Sequence, residues 1–162
     1  MLVRELMTED VACVTRDARL SEVAQLMRDK DCGEIPIVSS AESRELVGVV
    51  TDRDIVIRVL AMGRNPLDCD VSEAMTERVI VARPEMDIVE AARLMGENQV
   101  RRIVAVDDNN CLLGILSLAD VSRHAGENVV GATVQDISEP SSKDFVPGRR
   151  GMDANAGAEP RK

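Results

Sequence analysis

The chain has 162 residues, with 20 Lys and Arg residues against 29 Asp and Glu residues and a formal net charge of −9. Because such an acidic chain lacks a general basic surface, nucleic acid and anionic membranes are excluded as its main partners. Phe145 is the single residue of the Phe, Tyr and Trp types, so a bound base would lie among aliphatic side chains instead of aromatic rings.

The cysteine and histidine content argues against metal binding and thiol catalysis. The four cysteines form no CxxC motif and no close pair, and His124 is the single histidine. We therefore expect free, buried thiols in a reducing compartment, with no zinc site and no Cys–His catalytic pair. The sequence shows no signal peptide and no apolar run of membrane-spanning length, so we expect a cytoplasmic protein.

Two copies of one pattern run through the chain. Residues 3–9 (Val-Arg-Glu-Leu-Met-Thr-Glu) match residues 71–77 (Val-Ser-Glu-Ala-Met-Thr-Glu), 68 positions later. A loss of two residues then shortens the spacing to 66 positions between Gly48 and Gly114. A match of this length predicts a duplicated structural unit.

Each copy predicts the element order β-α-β-β-α. A short β-rich piece precedes an amphipathic helix, two strands joined by a short polar loop, and a second helix. Loops this short favour antiparallel hairpins. The predicted strands are 11–14, 35–38, 46–50, 79–81, 103–106 and 112–116. The first helix of each copy is predicted to bury one apolar face: Leu20, Val23, Ala24 and Met27 in the first copy, and Ile88, Ala91, Ala92 and Met95 in the second. The closing helices are predicted over 52–62, with Gly63 as the stop, and over 118–125.

The two copies are expected to form one α/β domain. A single copy would cover a three-stranded sheet with two helices, a small core for about 60 residues. Two copies packed sheet to sheet would bury both faces, so we predict repeats at 1–66 and 67–125. Residues 126–137 permit one more helix, and the Pro-, Ser-, Gly- and charge-rich residues 138–162 predict a disordered tail.

The chemistry of each copy is concentrated where its last strand meets its last helix. Both copies read Gly-x-x-(Thr/Ser)-x-x-Asp, ending at Thr51 and Asp54 in the first and at Ser117 and Asp120 in the second. A strand that runs into a helix start leaves backbone N–H groups free, which favours an anion. The same spacing is close to a capping box. Both interpretations stay open, because a capping carboxylate keeps acceptor positions.

These paired units resemble a tandem cystathionine-β-synthase (CBS) domain pair, the Bateman module. The doubled Met-Thr and the doubled closing motif carry the resemblance, which covers residues 3–124. Residues 51–56 (Thr-Asp-Arg-Asp-Ile-Val) and 99–104 (Gln-Val-Arg-Arg-Ile-Val) are similar to small stand-alone bacterial members. The resemblance implies a regulatory protein that binds AMP, ADP, ATP or S-adenosylmethionine in two clefts between the halves and forms a flat homodimer.

The resemblance also implies site residues. In the family, the aspartate of the closing motif accepts the ribose hydroxyls, and the Thr or Ser hydroxyl contacts ribose or the first phosphate. This implies Thr51 with Asp54 in one cleft and Ser117 with Asp120 in the other. It implies aliphatic adenine walls from the same repeat: Val11, Ala12, Cys13, Ile35 and Pro36 in the first, and Val79, Ile80, Val81, Ile103 and Val104 in the second.

Arginines beside these motifs are candidate phosphate contacts. Arg53 lies within the first motif, and Arg101 and Arg102 stand where the first repeat has Gly33 and Glu34. Guanidinium groups form bidentate bonds to phosphate, although a solvated surface position remains an alternative for each arginine. Glu34 would disfavour a polyphosphate if its side chain points into the cleft.

Two functions remain open at this point. In the first, an adenosine nucleotide or S-adenosylmethionine docks between the repeats and alters the shape of a homodimer or its affinity for an effector protein. The alternative is a ligand-independent dimeric interaction scaffold. We expect neither enzymatic activity nor a catalytic cofactor, because no nucleophile–base pair and no metal cluster is visible in the sequence.

Overall fold

The computed structural model describes residues 1–138. The strands are β1 (Thr8–Glu9), β2 (Val14–Thr15), β3 (Glu34–Val38), β4 (Leu46–Thr51), β5 (Val81–Ala82), β6 (Arg102–Val106) and β7 (Leu112–Ser117). The helices are α1 (Val3–Leu6), α2 (Leu20–Lys30), α3 (Asp52–Arg58), α4 (Ile88–Glu97), α5 (Leu118–Ser122) and α6 (Glu127–Ser138). Single 3-10 turns cover Leu60–Met62, Pro66–Asp68 and Val71–Glu73. The predicted tail lies outside the described residues, apart from Ser138.

The predicted order β-α-β-β-α occurs twice, as β2-α2-β3-β4-α3 and β5-α4-β6-β7-α5. The hairpins β3–β4 and β6–β7 are antiparallel, and the short first strand of each repeat runs parallel to its neighbour. The strand orders of the two sheets are β2-β3-β4 and β1-β7-β6-β5. The α/β architecture with one sheet for each repeat is therefore confirmed.

The closing helix of the first repeat is shorter than predicted. α3 ends at Arg58, and its C-cap residue Val59 has φ −117° and ψ −66°, far from the φ of about −63° of a regular α-helix. The chain then continues as a 3-10 turn to Gly63, which has φ +74°. Glycine adopts this left-handed conformation without a steric penalty, so Gly63 ends the 3-10 turn and not, as predicted, the helix itself.

The two amphipathic helices differ in how much of their surface is buried. Ala24 was predicted on the apolar face of α2 but is exposed, whereas its equivalent in α4, Ala92, is fully buried. The difference arises because α6 packs against α4 and α5. A helix is thus present where the mixed pattern at 126–137 permitted one, and it covers the second repeat alone among the described residues.

The segment that opens each repeat packs onto the other repeat. β1 pairs with β7, with Thr8 opposite Ile115, and Thr76 forms the equivalent bridge to Val49. The core of the second repeat includes Val3, Leu6 and Met7, and the core of the first includes Val71, Ala74 and Met75. The repeats are therefore interlocked, which the sequence pattern did not predict.

The glycine of each closing motif permits this crossing. A Cβ atom at Gly114 would lie 2.6 Å from the carbonyl oxygen of Thr8, and one at Gly48 would lie 2.9 Å from that of Thr76. Both separations are well inside van der Waals contact, which for carbon is about 3.5 Å or more. Only glycine lets the opening segment of the other repeat approach so closely.

The two sheets face each other through a separate apolar cluster. Its buried members come from the hairpins of both repeats: Val38, Leu46, Val104, Val106 and Leu112. The hairpin loops also exchange backbone hydrogen bonds, from Leu46 N to Asn110 O at 2.9 Å and from Leu112 N to Arg44 O at 2.8 Å. The sheet-to-sheet packing predicted from the duplicated unit is thus held at the loop end of both hairpins.

Candidate functional site

Both closing motifs lie at the end of the sheets opposite the hairpin loops. Thr51 ends β4 opposite Glu34, which begins β3, and Ser117 ends β7 opposite Arg102, which begins β6. Helices α3 and α5 start at the next residue in each case. Polar and charged side chains from both repeats therefore converge at one end of the domain.

Thr51 and Asp54 form the predicted capping box at the start of α3. Thr51 Oγ1 accepts a hydrogen bond from Asp54 N at 3.1 Å, and Thr51 N donates to Asp54 Oδ2 at 3.0 Å. The Thr51 hydroxyl also donates to Asp54 Oδ2 at 2.7 Å. The Asp54 side chain is still 17% exposed. The capping box fixes the orientation of the carboxylate but leaves it accessible.

Arg58 contacts the other oxygen of Asp54 and joins the two repeats. Its Nη2 lies 3.4 Å from Asp54 Oδ1. The same guanidinium donates to the carbonyl oxygens of Ala74 and Met75 at 2.8 and 2.6 Å and to Thr76 Oγ1 at 3.0 Å. Arg58 is therefore a link between the first motif and the opening segment of the second repeat.

Ser117 and Asp120 repeat this geometry at the start of α5. Ser117 Oγ accepts from Asp120 N at 3.2 Å, Ser117 N donates to Asp120 Oδ2 at 3.2 Å, and the hydroxyl donates to the same oxygen. Arg123 Nη1 lies 3.3 Å from Asp120 Oδ1, and the Asp120 side chain is 25% exposed. The two motifs are thus equivalent in structure as well as in sequence.

A cavity of about 230 Å³ opens beside Asp54 and is called the Asp54 cleft below. Its walls are Val49, Val79, Ile80, Val100 and Val104, and its polar residues are Glu34, Thr51, Asp54, Thr76, Arg78 and Arg102. A wider depression of about 650 Å³ shares several of these residues and adds Asp52, Arg53 and Arg101. The cleft therefore continues into an arginine-rich mouth.

A second cavity, of about 350 Å³, opens beside Asp120 and is called the Asp120 cleft. Its apolar walls are Val11, Ala12, Ile35 and Ile115, and its polar residues include Thr8, Asp10, Lys30, Asp31, Glu34, Arg102, Ser117 and Asp120. Each cleft thus has a hydroxyl–aspartate pair, a threonine from a Met-Thr segment and aliphatic walls.

The walls of the two clefts are exchanged relative to the expectation from the sequence. Asp54 lies beside Val79 and Val104 of the second repeat, whereas Asp120 lies beside Val11 and Ile35 of the first. The crossing of the opening segments causes this exchange, because it places the Met-Thr segment of each repeat next to the closing motif of the other. Grouping each motif with walls of its own repeat was therefore wrong.

Four of the predicted wall residues line neither cleft. Cys13 and Val81 pack against the apolar cluster between the sheets, Ile103 belongs to the core of the second repeat, and Pro36 is buried in β3. Successive strand residues point to opposite faces, so Ile103 cannot share a surface with its neighbour. The other predicted residues line a cleft or the mouth: Ile35, Thr51, Arg53, Asp54, Arg102, Val104, Ser117 and Asp120.

Glu34 and Arg102 occupy equivalent positions in the two repeats and line both clefts. Burial raises the pKa of Glu34 above its ordinary value, the Arg102 guanidinium opposes that rise, and the Asp54 carboxylate adds to it. The Glu34 side chain thus faces the clefts, which is the arrangement in which it disfavours a polyphosphate.

Sequence reasoning missed Thr8 and Thr76 as lining residues, together with Asp10 and Arg78, which follow two positions later. The doubled Met-Thr was visible as a repeat, but its pairing with the opposite repeat carries no local signal. Among residues 1–138, no three His, Cys, Asp or Glu side chains are grouped so that they could hold a metal ion. None of the described helices has the length and apolarity needed to cross a membrane.

Comparison with known proteins finds relatives that match along most of their length. The CBS domain-containing protein YhcV of Bacillus subtilis is 37% identical over 137 residues, which cover 84% of this chain and 94% of that protein. Hypoxic response protein 1 of Mycobacterium tuberculosis is 34% identical over 137 residues, with 85% and 94% covered. A crystal structure of Hypoxic Response Protein I with two coordinated zinc ions matches with a TM-score of 0.68 at 35% identity, and the match covers 78% of this chain and 100% of that one.

A further solved structure bears on the clefts. The CBS domain pair of protein MJ0100, in complex with methylthioadenosine and S-adenosyl-L-methionine, matches with a TM-score of 0.68 at 25% identity, covering 76% of this chain and 94% of that one. The CBS domain model itself matches residues 3–61 and 71–127, which contain both closing motifs. With two interlocked repeats and two equivalent clefts, the chain belongs to the CBS domain family and carries two CBS domains in tandem.

Proposed function

We propose that this chain is a regulatory protein that binds an adenosine compound in the Asp54 and Asp120 clefts. The observation that carries the proposal is the pair of equivalent clefts, each with a hydroxyl–aspartate pair and aliphatic walls contributed by both repeats. CBS domain proteins are generally regulatory, and a ligand seated between interlocked repeats contacts both at once. Ligand binding can therefore alter how the repeats are arranged.

The two aspartates suit recognition of a ribose. In each, Oδ2 is taken by the capping box, while Oδ1 has one arginine contact, at 3.4 Å for Asp54 and 3.3 Å for Asp120. A carboxylate oxygen accepts two hydrogen bonds, so Oδ1 keeps room for a ribose hydroxyl. Adenine would then lie against Val79 and Ile80 in one cleft and against Val11 and Ile35 in the other.

The ligands of the MJ0100 pair support the adenosine assignment. Methylthioadenosine and S-adenosyl-L-methionine share the adenosine and differ in the group at its 5′ position. Adenosine is therefore the part of the ligand that this comparison supports. AMP, ADP and ATP carry the same adenosine and belong to the same proposal.

Thermal unfolding with AMP, ADP, ATP, methylthioadenosine or S-adenosylmethionine tests the proposal. A ligand at about 100 times its Kd stabilises the folded state by about 2.7 kcal/mol, which raises Tm by several degrees for a chain of this size. We expect such a shift with at least one compound, and we expect the double variant Asp54→Ala/Asp120→Ala to lose it.

The matched control is Asp108→Ala, in the hairpin loop at the opposite end of the sheets. Asp108 is exposed and lies outside both clefts, so this variant should keep the full ligand-induced shift. An unchanged Tm with all five compounds in the wild-type chain would contradict the proposed function.

A dimeric interaction scaffold is the second candidate, and one surface favours it. Large apolar side chains on and after α3 are exposed instead of buried: Val56, Ile57, Leu60, Met62 and Leu67. Contiguous exposed apolar side chains are typical of protein–protein contacts. We infer that this surface joins two copies of the chain, which is compatible with ligand binding in the clefts.

A further inference from the structure

We propose that the two clefts select adenosine ligands by charge. The Asp54 cleft binds an adenosine with a 5′-phosphate, and the Asp120 cleft binds one whose 5′ group is uncharged or cationic, such as a thioether or a sulfonium. This inference rests on the proposed function and specifies the ligand class of each cleft.

The clearest difference is a charge reversal at equivalent positions. Asp10 follows Met7-Thr8-Glu9 and lines the Asp120 cleft, whereas Arg78 follows Met75-Thr76-Glu77 and lines the Asp54 cleft. Because the repeats superpose these two positions, a ligand would meet a carboxylate in one cleft and a guanidinium in the other. Asp10 and Arg78 each come two residues after a threonine, Thr8 or Thr76, that pairs with the opposite repeat. The two positions are therefore structurally equivalent.

The Asp54 cleft and its mouth carry more basic than acidic side chains. Arg53, Arg78, Arg101 and Arg102 stand against Glu34, Asp52 and Asp54. Asp54 already has Arg58 as its partner at 3.4 Å. Within residues 1–138, no ion pair and no side-chain hydrogen bond involves the guanidinium groups of these four arginines, although Arg102 lies close enough to Glu34 to counteract the rise of its pKa. They are therefore available to a phosphate, which arginine binds in a bidentate manner.

The Asp120 cleft has the opposite balance. Asp10, Asp31, Glu34 and Asp120 stand against Lys30 and Arg102, and an adjoining depression adds Arg101. Asp120 is paired with Arg123 at 3.3 Å, as Asp54 is with Arg58, so the contrast between the clefts lies in Asp10, Asp31 and the arginines. Asp10 and Asp31 both have a left-handed backbone, with φ of 50°, at the edge of this cleft. A 5′-phosphate would enter a site with an excess of carboxylates, where like charges repel. A sulfonium or a thioether would not meet that repulsion.

Glu34 and Arg102 couple ligand binding in one cleft to ligand binding in the other, because both side chains line both clefts. A phosphate in the Asp54 cleft would attract Arg102 and leave the Glu34 carboxylate to the Asp120 cleft. That shift makes the Asp120 cleft still more favourable for a cation. The two ligands are therefore expected to bind with positive coupling, which by linkage is the same in both directions.

Isothermal titration calorimetry with AMP and methylthioadenosine tests the proposal, because the two probes share the adenosine and differ at the 5′ position. In Asp120→Ala, which leaves the Asp54 cleft intact, AMP should bind more tightly than methylthioadenosine. In Asp54→Ala, which leaves the Asp120 cleft intact, the order should reverse. The same order of affinities in both variants would overturn the charge selection.

Single charge changes keep the test independent of the aspartate variants. As a single substitution, with both aspartates present, Arg78→Gln should lower the ratio of AMP affinity to methylthioadenosine affinity about tenfold. This is the effect of one charge-assisted hydrogen bond. Asp10→Asn/Asp31→Asn should raise AMP affinity, and asparagine tolerates the left-handed backbone of both positions. The matched control Arg93→Gln removes an exposed arginine on α4 whose partner is Glu97 and should change neither affinity.

The outcomes separate this inference from the proposed function. If neither probe binds to the wild-type chain, the proposed function and the charge selection both fail. If both probes bind but Arg78→Gln and Asp10→Asn/Asp31→Asn leave the affinity ratio unchanged, adenosine binding stands and the charge selection alone is overturned.

Discussion

At the scale of single residues, the half-buried carboxyl of Glu34 couples the stability of the fold to pH. Its folded-state pKa lies above the ordinary value of 4.5, mainly because burial disfavours the charged form. The folded state therefore holds the proton more tightly than the unfolded state, and stability falls as the pH rises through the interval from the ordinary to the raised pKa. Below that interval the carboxyl is protonated in both states, and Glu34 no longer destabilises the folded state.

The variant Glu34→Gln should accordingly be more stable than the wild-type chain at neutral pH, with a difference that disappears in acid. Urea unfolding as a function of pH measures this difference. Asp17 is a control of opposite sign, because a hydrogen bond from the Thr15 hydroxyl at 2.6 Å lowers its pKa. Asp17→Asn should lose stability above the ordinary pKa of the carboxyl. A Glu34→Gln difference that persists unchanged in acid would contradict the assigned cause.

At the scale of elements, the pairing of β1 with β7 depends on Gly114. A Cβ there would lie 2.6 Å from the Thr8 carbonyl and 3.1 Å from the Met7 sulfur, so β1 must move away in Gly114→Ala. Over-packing of this kind typically costs about 1–3 kcal/mol. We expect a loss of that size in urea unfolding, together with weaker ligand binding in the Asp120 cleft, because Thr8 lines it.

Gly131→Ala is the matched control for that substitution. Gly131 lies in α6, and a Cβ there would meet nothing within 4 Å. Alanine in a helix interior is more stable than glycine by about 0.5–1 kcal/mol. This variant should therefore be at least as stable as the wild-type chain. Equal stability of Gly114→Ala and Gly131→Ala would show that β1 need not pass so close to β7.

At the scale of the whole molecule, the sequence predicts those features that depend on residues close together in the chain. The strands before Thr51 and Ser117, the capping boxes and the duplicated unit were all predicted, because each depends on residues close together in the chain. The crossing was not predicted, because the two-residue strand β1 has no periodic pattern and its partner Ile115 is distant in sequence. The walls of the clefts depend on that crossing, so wall residues such as Val11, Ile35 and Val79 were identified but were grouped with the wrong aspartate.

The exposed apolar surface on and after α3 predicts that two copies of the chain form a dimer. The second repeat has α6 against its helices, whereas in the first repeat Val56 is 52% exposed and Leu60 is 51% exposed. If a second copy covers this surface, light scattering on the wild-type chain should give the mass of a dimer. Val56→Glu/Leu60→Glu should raise the dimer Kd about tenfold or more, since a buried interface side chain often contributes over 1 kcal/mol.

Val89→Glu is the control for that experiment, since Val89 is a comparably exposed valine, 47% accessible, on α4 of the other repeat. It introduces one glutamate away from the α3 surface and should leave the mass unchanged. Binding of AMP and methylthioadenosine to Val56→Glu/Leu60→Glu separates assembly from ligand binding, because neither residue lines a cleft. A wild-type chain that stays monomeric at high concentration, or a double variant that dimerises as tightly as the wild type, would exclude this surface as the contact between copies.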